Sequence, residues 1–226
     1  MLELTQNENS LIGSSAAIRA LAEKDHARIL VISDSHGNFR ILEKIFKQYG
    51  PGCHGFIFCG DGARDIAEIL ELANEDESFR EVLPSVFAIV RGNGDPEIYP
   101  VSYEIGKDNP AATDYPKGSV IIPDDQTLTV NGHKFFICHG HYQGVDYGRN
   151  DLTFEAGGYG CTAAFYGHTH VARQETLRNC TCINPGSCSR PRGGQSASFA
   201  IVTVEKKIID TAFIKADGFR IWQPLG

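Results

Sequence analysis

Short apolar runs that end in polar clusters recur along the first half of the chain. Such runs at 28–32, 56–59 and 86–90 are partly β-branched and predict buried strands. Between them, apolar residues recur at helical spacing over 39–48 and 66–73, which predicts two amphipathic helices. This alternation of strand and helix is typical of an α/β fold.

The second half of the chain predicts mostly strands, at 126–130, 133–138, 163–166, 198–204 and 208–214. Asn131-Gly132 separates the first two runs, and an Asn-Gly pair in that position is a strong hairpin signal. We predict one domain over residues 1–226, with an N-terminal extension over 1–27 that includes a short helix. The stretch 97–118 is rich in Pro, Gly, Asp and Tyr, and we predict an insertion loop there.

Composition and charge narrow the range of functions. The 226 residues include 21 basic and 28 acidic side chains, which gives a formal net charge of −7. This balance argues against nucleic-acid binding through overall positive charge. It leaves room for a small anionic substrate that is held by a local site or by a metal.

The location of the protein is predicted from what its sequence lacks. The N-terminal residues have no basic segment followed by an apolar run, and no apolar stretch approaches the roughly 20 residues that span a membrane. The seven cysteines include no Cys-x-x-Cys pair, which favours reduced thiols over disulfides or a structural zinc site. We therefore expect a cytoplasmic protein with no membrane partner. Its oligomeric state is not readable from the sequence.

Five predicted strands end in clusters of oxygen and imidazole donors: Asp34-Ser35-His36, Gly60-Asp61, Gly92-Asn93, His139-Gly140-His141 and Gly167-His168-Thr169-His170. Ligands of α/β folds bind outside the carboxyl ends of the strands, so we expect these clusters to converge on one rim. Each cluster alone is compatible with an ordinary turn. Together they hold five of the eight histidines, which turns do not explain. Such donors suit Mn²⁺, Fe or Zn²⁺ in a mixed site.

The same clusters, extended by Asn38 and Asp95, resemble the motif series of the calcineurin-like metallophosphoesterases, in particular the small bacterial and archaeal phosphodiesterases. Asn184-Pro185-Gly186-Ser187 resembles the C-terminal signature of that branch, and the resemblance covers about residues 28–214. It implies an α/β fold in which two β-sheets pack face to face and are flanked by helices, a four-layer sandwich with metals at the strand ends.

The resemblance also implies two divalent metal ions, with Mn²⁺ preferred and Fe, Zn²⁺ or Ni²⁺ as alternatives. The first ion would be held by Asp34, His36 and His170, the second by Asn93, His139 and His168, with Asp61 bridging both. A water between two such ions is acidified and becomes a nucleophile. The implied function is the hydrolysis of a phosphodiester or a phosphomonoester by metal-activated hydroxide.

One departure from the wider superfamily concerns the general acid, because Gly94 follows Asn93 where many members carry a histidine. His141 is the best remaining candidate, since it lies two residues from His139 and shares its face in an extended segment. Asn38 is a candidate for hydrogen bonding to the phosphate, and Asp95 for orienting a metal ligand. We interpret the Asn184 turn as a brace, with Arg192 as an alternative contact to phosphate.

Two readings from different functional classes remain. The first is an enzyme acting on a small phosphate ester, and the alternative is a non-catalytic protein-binding scaffold on the same fold, as in the retromer subunit. A scaffold has no need for seven competent ligand positions, so the enzyme is preferred. Tyrosines of the 97–118 loop and of residues 142–159 are candidate contacts for the rest of the substrate. Cyclic nucleotides, dinucleoside polyphosphates and aryl diesters all stay open.

Overall fold

A computed structural model describes residues 1–7, 9–103, 106–107, 118–206 and 208–224. The helices are α1 (Ser15–Ala22), α2 (Phe39–Tyr49), α3 (Ala63–Glu75), α4 (Glu77–Val82) and α5 (Asn150–Gly158). The strands of the first half are β1 (Thr5–Gln6), β2 (His26–Ile32), β3 (Gly55–Phe58), β4 (Val86–Ile89), β5 (Ile98–Pro100), β6 (Gly106–Lys107) and β7 (Ser119–Ile121). The second half contributes β8 (Asp125–Val130), β9 (His133–Cys138), β10 (Ala163–Phe165), β11 (Arg173–Leu177), β12 (Cys180–Asn184), β13 (Ser198–Glu205), β14 (Ile208–Lys215) and β15 (Arg220–Trp222).

Two large sheets organise the domain. The six-stranded sheet has the order β15-β14-β13-β2-β3-β4, and its strands β2, β3 and β4 are parallel. The five-stranded sheet has the order β11-β12-β10-β9-β8, and its strands β9, β10 and β12 are parallel. Each set of parallel strands delivers its carboxyl ends to one edge, which is where the polar clusters begin.

Alternation along the strands divides the apolar residues into separate layers. In β2, Ile29 and Val31 face the core between the sheets, while Leu30 and Ile32 face the core beneath α2, α3 and α4. A smaller core packs α5 on the outer face of the five-stranded sheet, around Phe136. The predicted fold class, two face-to-face sheets flanked by helices, is confirmed.

The insertion predicted at 97–118 is partly built from strands. Strand β5 pairs with β7, and the short β6 pairs with β1. Residues 104–105 and 108–117 of the predicted loop lie outside the described residues. Helix α5 lies in the segment 142–159, for which the sequence predicted only loop walls. Its last two residues are glycines and its apolar face is weak, so periodicity gave little signal there.

The N-terminal segment contributes to the main cores. Leu2, Leu11 and Ile12 are buried, and the backbone of Ile12 exchanges hydrogen bonds with Phe87 at the edge of β4. Helix α1 packs Leu21 into the core between the sheets. Across the described ranges, the helices fall short of the length and hydropathy that a membrane crossing requires.

Candidate metal centre

Several of the predicted ligands lie in an unusual backbone conformation. Asp34, His36, Asp61, His168 and His170 all have positive φ, between 46° and 66°. Non-glycine residues adopt this left-handed region rarely, and such strain concentrates at functional sites. The tight turns after β2, β3 and β10 therefore aim these side chains at one rim between the two sheets.

A first cluster consists of Asp34, His36 and His170. The Nε2 atoms of the two histidines lie 3.0 Å apart, and His170 Nε2 lies 3.2 Å from Asp34 Oδ1. His36 Nε2 lies 3.8 Å from the same Asp34 oxygen. Asp34 is fully buried, and its other oxygen accepts a hydrogen bond from Ser33 Oγ at 2.5 Å. Three ligand atoms of metal-binding types thus face one another within the reach of a single cation.

A second cluster consists of Asp34, Asp61 and His139. Asp61 Oδ2 lies 3.6 Å from His139 Nε2 and 3.9 Å from His36 Nε2, so one carboxylate oxygen faces both clusters. The other oxygen of Asp61 accepts a hydrogen bond from the Gly94 amide at 3.0 Å. Asp34 belongs to both clusters as well, which the sequence did not indicate.

Backbone carbonyls fix the tautomers of two of these histidines. His139 Nδ1 donates to Cys59 O at 2.6 Å, and His170 Nδ1 donates to Arg190 O at 2.6 Å. A carbonyl oxygen only accepts, so in neutral rings Nδ1 carries the proton and the Nε2 lone pair points into the cluster. This second contact is the one that orients metal-ligating histidines.

The residues present fit divalent metal ions. His139 Nε2 and Asp34 Oδ1 are buried and have no hydrogen-bond partner within the described part of the chain. A lone pair facing a carboxylate oxygen in a dry environment is unfavourable unless a positive charge lies between them. Two carboxylates and three imidazoles form a mixed donor set of the kind that suits Mn²⁺, Fe or Zn²⁺.

The pKa values of the two facing histidines are shifted in opposite directions. Burial lowers the pKa of His36. Burial also acts to lower the pKa of His170, but the Asp34 carboxylate outweighs it, so this pKa is raised.

Two of the seven predicted ligands are not gathered into these clusters. Asn93 is exposed, and its side chain forms no hydrogen bond to the other donors within the described residues. His168 lies beside His139, with 5.1 Å between ring centroids, but its Nε2 faces Asp146 Oδ2 at 2.9 Å. Of the histidines predicted for the second ion, His139 faces Asp61, whereas His168 faces Asp146.

The predicted catalytic residues surround the same rim. The ring centroid of His141 lies 5.4 Å from that of His139 and 4.0 Å from that of Tyr142, whose side chain is exposed. Burial lowers the pKa of His141, and its Nδ1 has no hydrogen-bond partner in the described ranges. Asn38 is exposed and makes no side-chain capping bond to α2, so its amide is free to face solvent or a ligand.

Comparison with known proteins assigns the family. Residues 28–207 match the family model described as the calcineurin-like phosphoesterase superfamily domain. The chain belongs to this superfamily. The predicted family is therefore confirmed, as is the prediction of a metal-dependent phosphoric ester hydrolase.

Three relatives illustrate the likeness. Probable metallophosphoesterase YsnB from Bacillus subtilis (strain 168) is 29% identical over 193 residues, covering 85% of this chain and 94% of that protein. Phosphodiesterase YfcE from Escherichia coli (strain K12) is 27% identical over 185 residues, covering 77% and 86%. The solved structure of Vacuolar Protein Sorting 29 from Cryptosporidium parvum matches with a TM-score of 0.60, 15% identity, and coverage of 88% and 97%. That last match shows the fold alone.

Asp95 joins two ligand-bearing loops of this calcineurin-like phosphoesterase. Its carboxylate accepts hydrogen bonds from the Gly62 and Ala63 amides at the start of α3 and from the Gly92 amide. The loops after β3 and β4 are thereby held together. A side chain at Gly92 would collide with the Asp61 carboxylate, so this close approach requires glycine.

Asp65 is a residue that the sequence analysis missed. It is almost fully buried in the first turn of α3, and its Oδ2 accepts hydrogen bonds from Ser35 Oγ and from the Gly37 amide at 2.9 Å. It therefore holds the loop that carries Asp34 and His36. The only sequence signal was an acidic residue beside the apolar stripe of a predicted helix.

The Asn184 turn braces the rim from beneath, as its interpretation from sequence proposed. Asn184 Nδ2 donates to Gly167 O at 2.7 Å and to Thr169 Oγ1 at 3.1 Å, within the loop that carries His168 and His170. Ser187 Oγ donates to Asp34 O at 2.7 Å.

Asp65→Ala is expected to lower the affinity for Mn²⁺ by about 10–100-fold, the usual cost of losing a partner that orients metal ligands. The loop after β2 loses two of the hydrogen bonds that hold it, while every proposed ligand residue is retained. Calorimetric titration of the metal-free protein with Mn²⁺ measures the change. Asp76→Ala is the matched control, because Asp76 caps α4 through Phe79 N and contacts no ligand loop. Unchanged affinity in Asp65→Ala would remove Asp65 from the positioning role.

Proposed function

We propose that this calcineurin-like phosphoesterase is a dinuclear, metal-dependent hydrolase of a small phosphodiester, with phosphomonoesters as the lesser substrates. The observation that carries the proposal is the convergence of buried ligand atoms from two sheets. Asp34, Asp61 and three histidine Nε2 atoms face one another, and the most buried of them have no hydrogen-bond partner among the described residues.

The proposed ligand sets follow from the two clusters. Asp34, His36 and His170 hold the first ion, and Asp61 faces both sites. His139 with His168 and Asn93 completes the second site, which requires His168 Nε2 to leave Asp146. The ions, when bound, supply Lewis-acid charge that acidifies a water and offsets the charge developing on the phosphate. Mn²⁺ is the proposed metal, since it accepts both carboxylate and imidazole ligands.

The other side chains of the rim are proposed to contact the leaving oxygen, the organic part of the ester and a phosphate oxygen. His141 lies on the β9 side of the centre and is placed to donate a proton to the leaving oxygen. The exposed ring of Tyr142 beside it is a surface for a base or an aryl group. Asn38 at the start of α2 is placed to donate a hydrogen bond to a phosphate oxygen.

The diester preference is supported by the relative from Escherichia coli that is named a phosphodiesterase. A scaffold role has only the fold-level likeness to Vacuolar Protein Sorting 29 in its favour, and scaffolding needs no converging ligands. The seven cysteines are all free and buried, which suits the reducing cytoplasm that we propose as the location.

The first test is metal reconstitution followed by an assay with bis(p-nitrophenyl) phosphate. We expect about two Mn²⁺ per chain by elemental analysis, and hydrolysis that disappears with a chelator and returns when Mn²⁺ is added. Metal binding should also raise the melting temperature, because the ligands are assembled only in the folded state. A stoichiometry of one with full activity would overturn the dinuclear mechanism. Metal binding without hydrolysis of any phosphate ester would favour the scaffold.

A further inference from the structure

The segment 187–192 is fastened to the loop that carries the first two ligands. Ser189 Oγ donates to Ser35 O at 2.8 Å, alongside the bond from Ser187 Oγ to Asp34 O. Ser187 Oγ also accepts from the Arg190 amide at 2.7 Å, which turns the chain back toward the rim. The segment is therefore positioned relative to the centre by several short hydrogen bonds.

The same segment holds His170 through the backbone of two arginines. Arg190 O accepts the Nδ1 proton of His170, and the Arg192 amide donates to His170 O at 3.1 Å. These contacts use only backbone atoms, so the side chains of Arg190 and Arg192 remain available for other interactions. The backbone of this segment lies against His170 of the first cluster, whereas the His141 ring lies beside His139 of the second cluster.

Both guanidinium groups are exposed and unneutralised. Neither Arg190 nor Arg192 forms an ion pair with an acidic side chain in the described ranges, and the one side-chain bond of Arg190 is a long contact of 3.4 Å from Nη2 to His36 O. Arg91, which directly precedes Gly92, differs because Asp124 occupies its fork at 2.7 and 2.9 Å. The chain as a whole carries a net charge of −7, so these two positive charges oppose its overall sign.

The Arg190 side chain reaches the residue that carries a proposed ligand. Its Nη2 lies 3.4 Å from His36 O, so an anion bound at the first cluster would lie close to this guanidinium group.

The rim is polarised as a result. One end carries Arg190 and Arg192, and the other carries His141, the Tyr142 ring and Asp146. A substrate with charge on one side and a base or an aryl group on the other has a single favourable orientation. Planar guanidinium forks bind phosphate oxygens in pairs, which gives geometric specificity as well as energy.

We propose that Arg190 and Arg192 bind a second phosphate group of the substrate, next to the phosphate that is cleaved. The inference rests on the proposed function and narrows its substrate class to phosphate esters that carry a further phosphate, as nucleoside diphosphate derivatives do. The single phosphate of a simple diester lies at the centre itself and leaves the two forks empty.

The test compares two ligands that differ by one phosphate. AMP and ADP are titrated calorimetrically into the Mn²⁺-loaded protein at equal free Mn²⁺, and each is measured again as an inhibitor of bis(p-nitrophenyl) phosphate hydrolysis. We expect the unaltered protein to bind ADP more tightly than AMP. In Arg190→Gln/Arg192→Gln this preference should fall by about 10–100-fold, the worth of one or two charge-assisted hydrogen bonds. The variant Arg190→Lys/Arg192→Lys keeps the charges and loses the planar forks. Its preference for ADP should lie between that of the unaltered protein and that of the double glutamine variant.

Arg178→Gln is the matched control. Arg178 is exposed on the turn between β11 and β12, at the end of β12 remote from Asn184, so the same change of charge there should leave the ADP preference intact. An equal affinity for AMP and ADP in the unaltered protein would overturn the proposal, as would a preference that survives the double substitution. Failure of the proposed function is a separate result, since it shows as absent hydrolysis of the simple diester whatever the binding data give.

Discussion

Asp61→Asn is expected to reduce kcat/KM for a phosphodiester by about 10²–10³-fold, at least the cost of removing one group that stabilises a transition state. Asp61 Oδ2 lies within 3.9 Å of His36 Nε2 and 3.6 Å of His139 Nε2, so the loss of its charge weakens both clusters at once. A proposed terminal ligand such as Asn93 would contribute to one ion only. The loss in Asp61→Asn should therefore exceed the loss in Asn93→Ala.

The measurement combines steady-state kinetics at fixed free Mn²⁺ with metal content by elemental analysis. Asp61→Asn should retain fewer ions per chain than Asn93→Ala, because a bridging carboxylate holds two cations close together. In both variants, the side chain at position 61 keeps an oxygen that can accept the hydrogen bond from the Gly94 amide. The loop should therefore stay folded. A milder or equal loss than in Asn93→Ala would show that Asp61 does not bridge.

His141→Ala is expected to slow hydrolysis of a diester with an alkyl or ribose leaving group by about 10²–10⁴-fold, the usual contribution of general acid catalysis. A nitrophenyl diester should lose far less, because nitrophenolate departs without a proton. His139→Ala is the comparison, since it removes a proposed metal ligand and should impair both substrates alike. The ratio of kcat/KM values for the two substrates, in each variant, reports the result.

The competing role for His141 is to position the phosphate without transferring a proton. In that case the loss in His141→Ala would be the same for both leaving groups. A flat ratio would then leave solvent as the proton donor, because Gly94 stands where many superfamily members carry a histidine. Tyr142 is close to the His141 ring, and Tyr142→Phe, which keeps the ring, controls for disturbed packing there.

The convergence of the donors was predictable because it follows from topology. Parallel strands deliver their carboxyl ends to one edge, and the clusters after β2, β3, β9 and β10 stand at such ends. Asp34, His36, Asp61, His139 and His170 accordingly lie together. The division of the core into layers also follows from the strand itself, because successive side chains point to opposite faces of a sheet. Ile29 and Leu30 of β2 accordingly lie in different cores.

The orientation of individual side chains was not predictable in the same way. His168 Nε2 faces Asp146, a loop residue more than twenty positions away whose placement no local pattern encodes. Asp65 holds the Ser35–Gly37 loop through contacts between elements that are distant in sequence. The lack of an ion pair at Arg190 and Arg192 within the described residues depends on the surrounding surface, which no local pattern encodes.

The left-handed turns at the rim place five candidate site residues in a strained backbone conformation. Five residues with side chains occupy a backbone region that typically costs each of them about 1–3 kcal/mol. Two acidic groups, Asp34 and Asp61, are crowded into the same dry volume. The packed layers on either side of the sheets must therefore contribute enough free energy of folding to offset the cost of this strain. Residues of the packed layers therefore maintain the stability of the fold, while residues of the strained rim carry the proposed chemistry.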